Sequence, residues 1–173
     1  YLLGWYVAPS TAWPAIAPLV PPPDSILVQP EGEWGERQAH LFKTISAPSN
    51  KVVLIASDSP QIELETVLQS FAALTQSDLV LGPTYDGGYW LIGMRGSHDL
   101  LTGLQMSGPD VLNQLLARAE RLKLDVTLLP ATFDIDVEED LVHLREVVEH
   151  RSDLMATRAA LIRLGLLEGV KSR

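Results

Sequence analysis

The 173-residue chain contains no cysteine, which excludes disulfides, thiolate nucleophiles and cysteine-bound zinc and fits a cytoplasmic location. Positive charge is also scarce. Thirteen Lys and Arg stand against 22 Asp and Glu, for a formal net charge of −9. A surface of that sign repels polyanions and no basic stripe interrupts it, so no nucleic acid partner is expected. The uncharged opening, Tyr1 to Pro23, is broken by Pro9, Pro14, Pro18 and Pro21-Pro22-Pro23 too often for a membrane span. It also lacks the basic start of a signal peptide, so no membrane partner is expected. The phosphate-binding G-x-x-x-x-G-K-[ST], the dinucleotide G-x-G-x-x-G and the G-x-S-x-G nucleophile elbow are all missing. The four histidines are scattered, which argues against a histidine metal cluster.

What remains is an ordinary globular composition, 46% apolar and 20% charged, in a chain the size of one domain. Leu2 to Ala8 reads as a buried strand followed by a proline-rich loop. Tyr1 opens directly inside that strand, as in a sequence lacking an N-terminal segment. Trp34 to Ile45 reads as a helix. Lys51 to Ser57 is a continuous β-branched and apolar run, the pattern of a parallel strand covered on both faces. Asp58-Ser59-Pro60 breaks it. Leu64, Val67, Leu68 and Phe71 then recur at helical spacing, and Asp78 to Gly82 forms the next strand, which makes a strand–helix–strand unit. Gly88 to Met94 is a strand, Pro109 to Leu122 a helix with proline in its first turn, and Val126 to Leu129 a short strand. Glu138 to His150 and Asp153 to Leu164 are helices, the second stopped by Gly165. These elements predict an α/β fold with three layers, α/β/α, around a mostly parallel sheet.

An acidic protein binds a nucleotide only with local help, such as a divalent cation or backbone N–H groups. Asp58 is the first candidate, because open α/β sheets hold ligands beyond the carboxyl ends of their strands. A hard oxygen ligand there suits Mg²⁺ or Mn²⁺; the plainer role is a cap, by Asp58 or Ser59, on the following helix. Asp134-Ile135-Asp136-Val137-Glu138-Glu139-Asp140 is dense in carboxylate. Asp136 and Glu139 have capping-box spacing, which accounts for much of that density and leaves Asp134 less well explained. Tyr85-Asp86-Gly87-Gly88-Tyr89 is good turn chemistry, and equally a close-approach floor for a sugar or base. Gly35-Glu36-Arg37, just inside a helix, offers a weak anion site.

In order along the chain, these segments resemble the GT-A-type nucleotide-diphospho-sugar transferase superfamily. The likeness is to a bacterial branch labelled uncharacterised or arsenosugar-biosynthesis-type glycosyltransferases, related to phospholactate guanylyltransferases and molybdenum-cofactor nucleotidyltransferases. The motifs are Gln29 with Gly35-Glu36-Arg37, Ser57-Asp58-Ser59-Pro60, Gly82-Pro83-Thr84-Tyr85-Asp86-Gly87-Gly88-Tyr89 and Asp134 to Leu141. The resemblance implies that Asp58 is the metal aspartate, with Asp136 or Asp134 as the second contact near metal and phosphates. It also implies that Glu36, Arg37, Ser59, Pro60, Asp86, Gly87, Gly88 and Tyr89 shape the substrate side. The family's N-terminal strand and loop, with Lys-Thr-Arg-Leu after Pro-Gly, have no match here, so a fragment or a truncated relative is expected.

The resulting expectation is one GT-A-like domain over 1–173, with a core at 1–150 and a C-terminal helical extension at 151–173. Its activity would be metal-dependent glycosyl transfer from a nucleotide-sugar donor to an unnamed acceptor, with Mg²⁺ or Mn²⁺ as cofactor and a homo-oligomer as a possible assembly. The alternatives are nucleotidyl transfer, or a truncated non-catalytic domain that binds a nucleotide or a partner.

Overall fold

The structure, a computed structural model, describes residues 1–21 and 25–168. Pro22 and Pro23 of the expected proline loop and 169–173 of the expected C-terminal extension lie outside the described residues. Strand β1 (Gly4–Val7) falls inside the expected Leu2–Ala8 segment, but the segment is not buried as expected: only Val7 is, and Leu2 and Leu3 are exposed. The proline-rich stretch after it is more ordered than a loop. It turns through Ser10–Ala12, the four-residue helix α1 (Trp13–Ile16) and Ala17–Leu19. Proline stands in the first turn of the last two, where its fixed φ suits a helix and its missing N–H costs nothing. Strand β2 (Ser25–Val28) pairs in parallel with β1. It was not anticipated, because three apolar residues, Ile26 to Val28, between polar neighbours carry no readable period.

The main body begins with helix α2 (Trp34–Ile45), which buries Gln38, Leu41 and Phe42 on one face. Strand β3 (Lys51–Ile55), helix α3 (Leu64–Ala73), strand β4 (Leu79–Pro83) and strand β5 (Tyr89–Arg95) follow. Then come helix α4 (Val111–Arg121), strand β6 (Val126–Leu128), a helical turn at Glu138–Asp140, helix α5 (Leu141–His150) and helix α6 (Met155–Arg163). Gly165, at φ 73°, ends the last helix as its sequence position predicts.

Strands β3, β5, β4 and β6 hydrogen-bond in that order. Strand β5 runs antiparallel to both β3 and β4, and β6 runs parallel to β4. Strands β3, β4 and β6 therefore share one direction, and only β5 opposes them. The sheet is mixed, with three of four strands aligned, although β3 has no parallel ladder of its own. Strand β3 is thus not the expected parallel strand covered on both faces. It is an edge strand, half-buried from Lys51 to Leu54 with Ile55 exposed, and an apolar run specifies neither full cover nor the direction of the neighbour.

Helices cover both faces. On one, Phe42 of α2 and Val111, Leu115 and Ala119 of α4 pack on Leu79, Leu81, Ile92 and Met94. On the other, Leu74 after α3 packs with Val80, Trp90 and Leu91, joined by Val53, Ile62 and Ala73. This gives the three layers expected for the α/β class. The β4–β5 register shifts at Gly82/Pro83, where Trp90 has no partner of its own, and Trp90 and Leu91 consequently join the same face. Not every apolar residue of the α3 pattern turns inward: Leu64 is 72% exposed, because it opens the helix at the rim of the sheet. A third small cluster, Leu144, Val148 and Leu161, joins α5 to α6. Among the described residues, no helix is long and apolar enough to cross a membrane.

Candidate metal and nucleotide site

The shared direction of β3, β4 and β6 puts their carboxyl ends on one edge of the sheet. Each of these ends leads into an acidic segment. Strand β3 runs into Asp58, β4 into Asp86, and β6 into the stretch carrying Asp134 and Asp136.

Two backbone bridges draw the segments together. The Tyr85 N–H donates to the Thr132 carbonyl at 3.0 Å, and the Thr132 N–H donates to that of Pro83 at 3.1 Å, which extends the β4–β6 ladder past its strands. The Ile135 N–H donates to the Asp58 carbonyl at 3.1 Å. As a result, carboxylate oxygens of Asp86, Asp134 and Asp136 lie within 4.8 Å of one another. Asp134 is half-buried and the other two are exposed. Burial raises the Asp134 carboxyl above its ordinary value, and the negative charges of Asp86, Asp136 and Asp58 push it further in the same direction. Asp58 thus acts on the cluster electrostatically but is not among the three mutually close carboxylates.

Each ligand-bearing turn is held by its own chemistry. Asp86 Oδ1 accepts the Thr84 hydroxyl and, at 3.0 Å, the Gly88 N–H, which fixes one carboxylate oxygen inward. Gly87 sits at φ 95°, and a Cβ there would meet the Pro109 carbonyl oxygen at 1.9 Å. Only glycine permits both that backbone conformation and that approach. The expected Asp136–Glu139 capping box is not what forms. Asp140 Oδ2 instead accepts the N–H groups of Asp136 and Val137, at 2.9 and 3.0 Å, and those two bonds hold its carboxyl below the usual carboxylate range. Asp140 therefore does the capping, which leaves the Asp136 carboxylate for the cluster.

Gln61, which the sequence did not single out, ties two of the acidic segments together. It is 7% exposed, and its Nε2 donates to Thr132 Oγ1 at 3.1 Å and to the Phe133 carbonyl. It therefore clamps the loop after Asp58 to the stretch before Asp134. Arg151 holds the same loop from outside, donating to the Gln61 carbonyl at 3.1 Å while pairing with Glu63 and Asp153. A glutamine at the mouth of an apolar helix has no motif that would have announced this role.

The remaining candidates are placed as follows. Ser59 is buried with its hydroxyl unpaired, and Pro60 is half-buried beside it. The Tyr89 hydroxyl donates to the buried Gln38 Oε1 at 2.8 Å, and burial raises its pKa, so it is committed to the α2 face. Glu36 Oε1 accepts the Gly103 N–H at 2.8 Å, which fastens α2 to the loop before α4. Gly35 is a close-packing glycine, since a Cβ there would lie 2.9 Å from the Leu101 carbonyl oxygen. Arg37 stands apart, at the carboxyl ends of β1 and β2, with Nη1 bonded to Gln29 Oε1 at 2.9 Å.

Three hard carboxylates at this spacing are a donor set suited to Mg²⁺ or Mn²⁺, and the crowding that raises Asp134 is what a cation relieves. Layered helices on a sheet whose acidic residues gather beyond the carboxyl ends of its strands define a nucleotide-diphospho-sugar-transferase-like α/β domain. A crystal structure from Desulfovibrio desulfuricans G20, of a protein designated a "putative nucleotide-diphospho-sugar transferase", superposes with a TM-score of 0.75 at 26% identity. The match covers 93% of this chain and 74% of that one. The chain belongs to the bacterial family described as "Uncharacterized protein conserved in bacteria (DUF2064)", whose model matches residues 6–108. That match takes in Asp58 and Asp86 and ends before Asp134. No curated protein matches the chain.

Proposed function

We propose that this domain is a transferase whose substrate is a nucleotide sugar, working with Mg²⁺ or Mn²⁺ held by Asp86, Asp134 and Asp136. The observation that carries this reading is the meeting of three carboxylates from two strand ends, on a fold similar to that of a nucleotide-diphospho-sugar transferase. Relative to the sequence reading, Asp86 moves from the substrate side to the metal. Asp58 becomes a flanking carboxylate, close enough to bias Asp134 and suited to a water or hydroxyl in the outer coordination sphere.

A divalent cation there would neutralise the charge that develops on a departing diphosphate. The protein's part is to keep the carboxylates in place before the donor arrives. Thr84 and the Gly88 N–H hold Asp86, Asp140 frees Asp136, and Gln61 fixes the distance between the two loops. Among the described residues no side chain is placed as an obvious nucleophile, so the acceptor itself attacks the donor.

A thermal-shift screen against nucleotides and nucleotide sugars, with and without Mn²⁺, tests the reading. The expected result is stabilisation that requires both the metal and one donor and disappears in Asp86→Asn. Stabilisation by nucleotide that is indifferent to Mn²⁺ and to Asp86→Asn would remove the metal from the proposal. Incubation with the selected donor separates the two transfer chemistries: release of a nucleoside diphosphate marks glycosyl transfer, and release of pyrophosphate from a nucleoside triphosphate marks nucleotidyl transfer.

A further inference from the structure

An open cavity of about 230 Å³, sharing no lining residue with the acidic cluster, lies at the carboxyl ends of the parallel pair β1–β2. Its walls come from Pro9 after β1, from Gln29 to Gly32 after β2, and from Arg37 on the first turn of α2. The guanidinium is held firmly. Nη1 donates to Gln29 Oε1 at 2.9 Å, Cζ sits 5.1 Å from the Trp34 ring centroid, and the Arg37 carbonyl accepts the Tyr6 hydroxyl at 2.6 Å. Gln29 is held in turn, its Nε2 donating to the Tyr6 carbonyl at 2.8 Å.

What Arg37 lacks is a counter-charge. Arg95 pairs with Asp78, and Arg151 with Glu63 and Asp153. No carboxylate among the described residues lies within ion-pair distance of Arg37, whose Nε is buried without a partner. A half-buried cation that meets only a neutral amide and an aromatic face is retained at a cost in stability unless something else supplies the anion. Its rigid fork matches two oxygens of one oxyanion, and strand carboxyl ends are where open α/β sheets place ligands.

We propose that this cavity is an oxyanion site in which Arg37 receives a phosphate or carboxylate group of a substrate. It rests on the transferase reading only for which molecule carries that anion. A cavity of about 230 Å³ is too small for a whole nucleotide sugar, so it would take either one end of the donor in a longer cleft or the acidic group of the acceptor. Glu31 lines the same cavity with its carboxylate exposed, and it sets a limit on how tightly a doubly charged group is held.

Calorimetric titration of the full chain with inorganic phosphate, and separately with acetate, in EDTA at low ionic strength tests this. Saturable binding is expected, and Glu31→Gln should tighten it about threefold by removing the opposing charge. Arg37→Gln should weaken it by about tenfold or more. Saturation by phosphate alone assigns the site to a phosphate group; saturation by both anions extends it to acidic acceptors. Failure of both anions to bind the wild-type chain and Glu31→Gln overturns the proposal. So does an affinity that ignores Arg37→Gln in a folded variant. Should Arg37→Gln not fold, the Glu31→Gln result decides, and an unchanged affinity there sinks the idea. EDTA removes the metal, so this outcome is independent of the Mn²⁺-dependent test above.

Discussion

At the scale of single residues, the acidic site depends on neighbours that are not themselves part of the cluster. Gln61 is the clearest case, because both acceptors of its amide lie on the stretch that delivers Asp134. Gln61→Leu keeps the volume and removes the two donated bonds. It also removes the buried, unpaired Oε1, which offsets part of that loss. The expected cost in stability is therefore only about 1 kcal/mol, or about 3 °C in Tm. The effect on Mn²⁺ affinity should be larger, about tenfold, because supporting contacts orient ligands that the metal needs in one geometry. Calorimetric Mn²⁺ titration alongside thermal unfolding checks this. A large fall in Tm with unchanged Mn²⁺ affinity would reduce Gln61 to a structural residue. Asp140 follows the same logic: its acceptance of the Asp136 and Val137 N–H groups is what keeps Asp136 available.

At the scale of elements, Asp78 knots three strands of the main sheet. Its Oδ1 receives Arg95 Nη2 from the end of β5 at 2.6 Å, and its Oδ2 receives the Asp125 N–H just before β6 at 3.1 Å. The hydrogen bond from Arg95, then that from Asp125, hold the carboxyl below its ordinary value. A depressed folded pKa gives stability that is fully present above the unfolded value near 3.8 and is lost as pH falls through the folded value. Asp78→Asn should therefore cost about 1 kcal/mol at pH 7, a figure reduced for the partial exposure of Arg95. The difference from wild type should narrow as pH falls below the unfolded value, and unfolding curves at pH 7 and pH 3 measure it. An equal deficit at both pH values would mean that shape, not charge, is what the variant loses. These elements were legible in different degrees. Helix α2 was read over the bounds it has, and the termination of α6 followed from Gly165, because helix formation and helix ends are local. The antiparallel placement of β5 between β3 and β4 was not legible, since ladder direction depends on a non-local partner. The acidic motifs were visible in sequence, but the assembly of Asp86 with Asp134 and Asp136 depends on the Thr84–Thr132 bridge, which joins residues 48 apart. No spacing rule reaches that far.

At the scale of the whole molecule, the fold gathers like charges at one edge of its main sheet. The carboxyl ends of β3, β4 and β6 bring Asp58, Asp86, Asp134 and Asp136 to one edge of a chain with net charge −9. Without a counter-ion, that arrangement works against folding. The Asp134 carboxyl, raised first by burial and then by its acidic neighbours, is the measure of it. A carboxyl raised above its unfolded pKa favours the protonated fold, so stability falls as pH rises from the unfolded value through the folded one, and the deficit persists at neutrality. Asp134→Asn should consequently stabilise the metal-free protein. Much of the group faces solvent, which screens the repulsion, so the expected gain is about 0.5 kcal/mol, or roughly 2 °C in Tm in EDTA at pH 7. The gain should vanish near pH 3, where the wild-type carboxyl is itself protonated. The same variant should lose the stabilisation that Mn²⁺ gives the wild type, so the order of the two melting temperatures reverses when the metal is added. Stability given up in the empty state and recovered with a ligand is the expected signature of a binding site rather than a structural one. A variant less stable than wild type in EDTA would mean that Asp134 holds the loop together, and the case for a metal would then fall back on Asp86 and Asp136 alone.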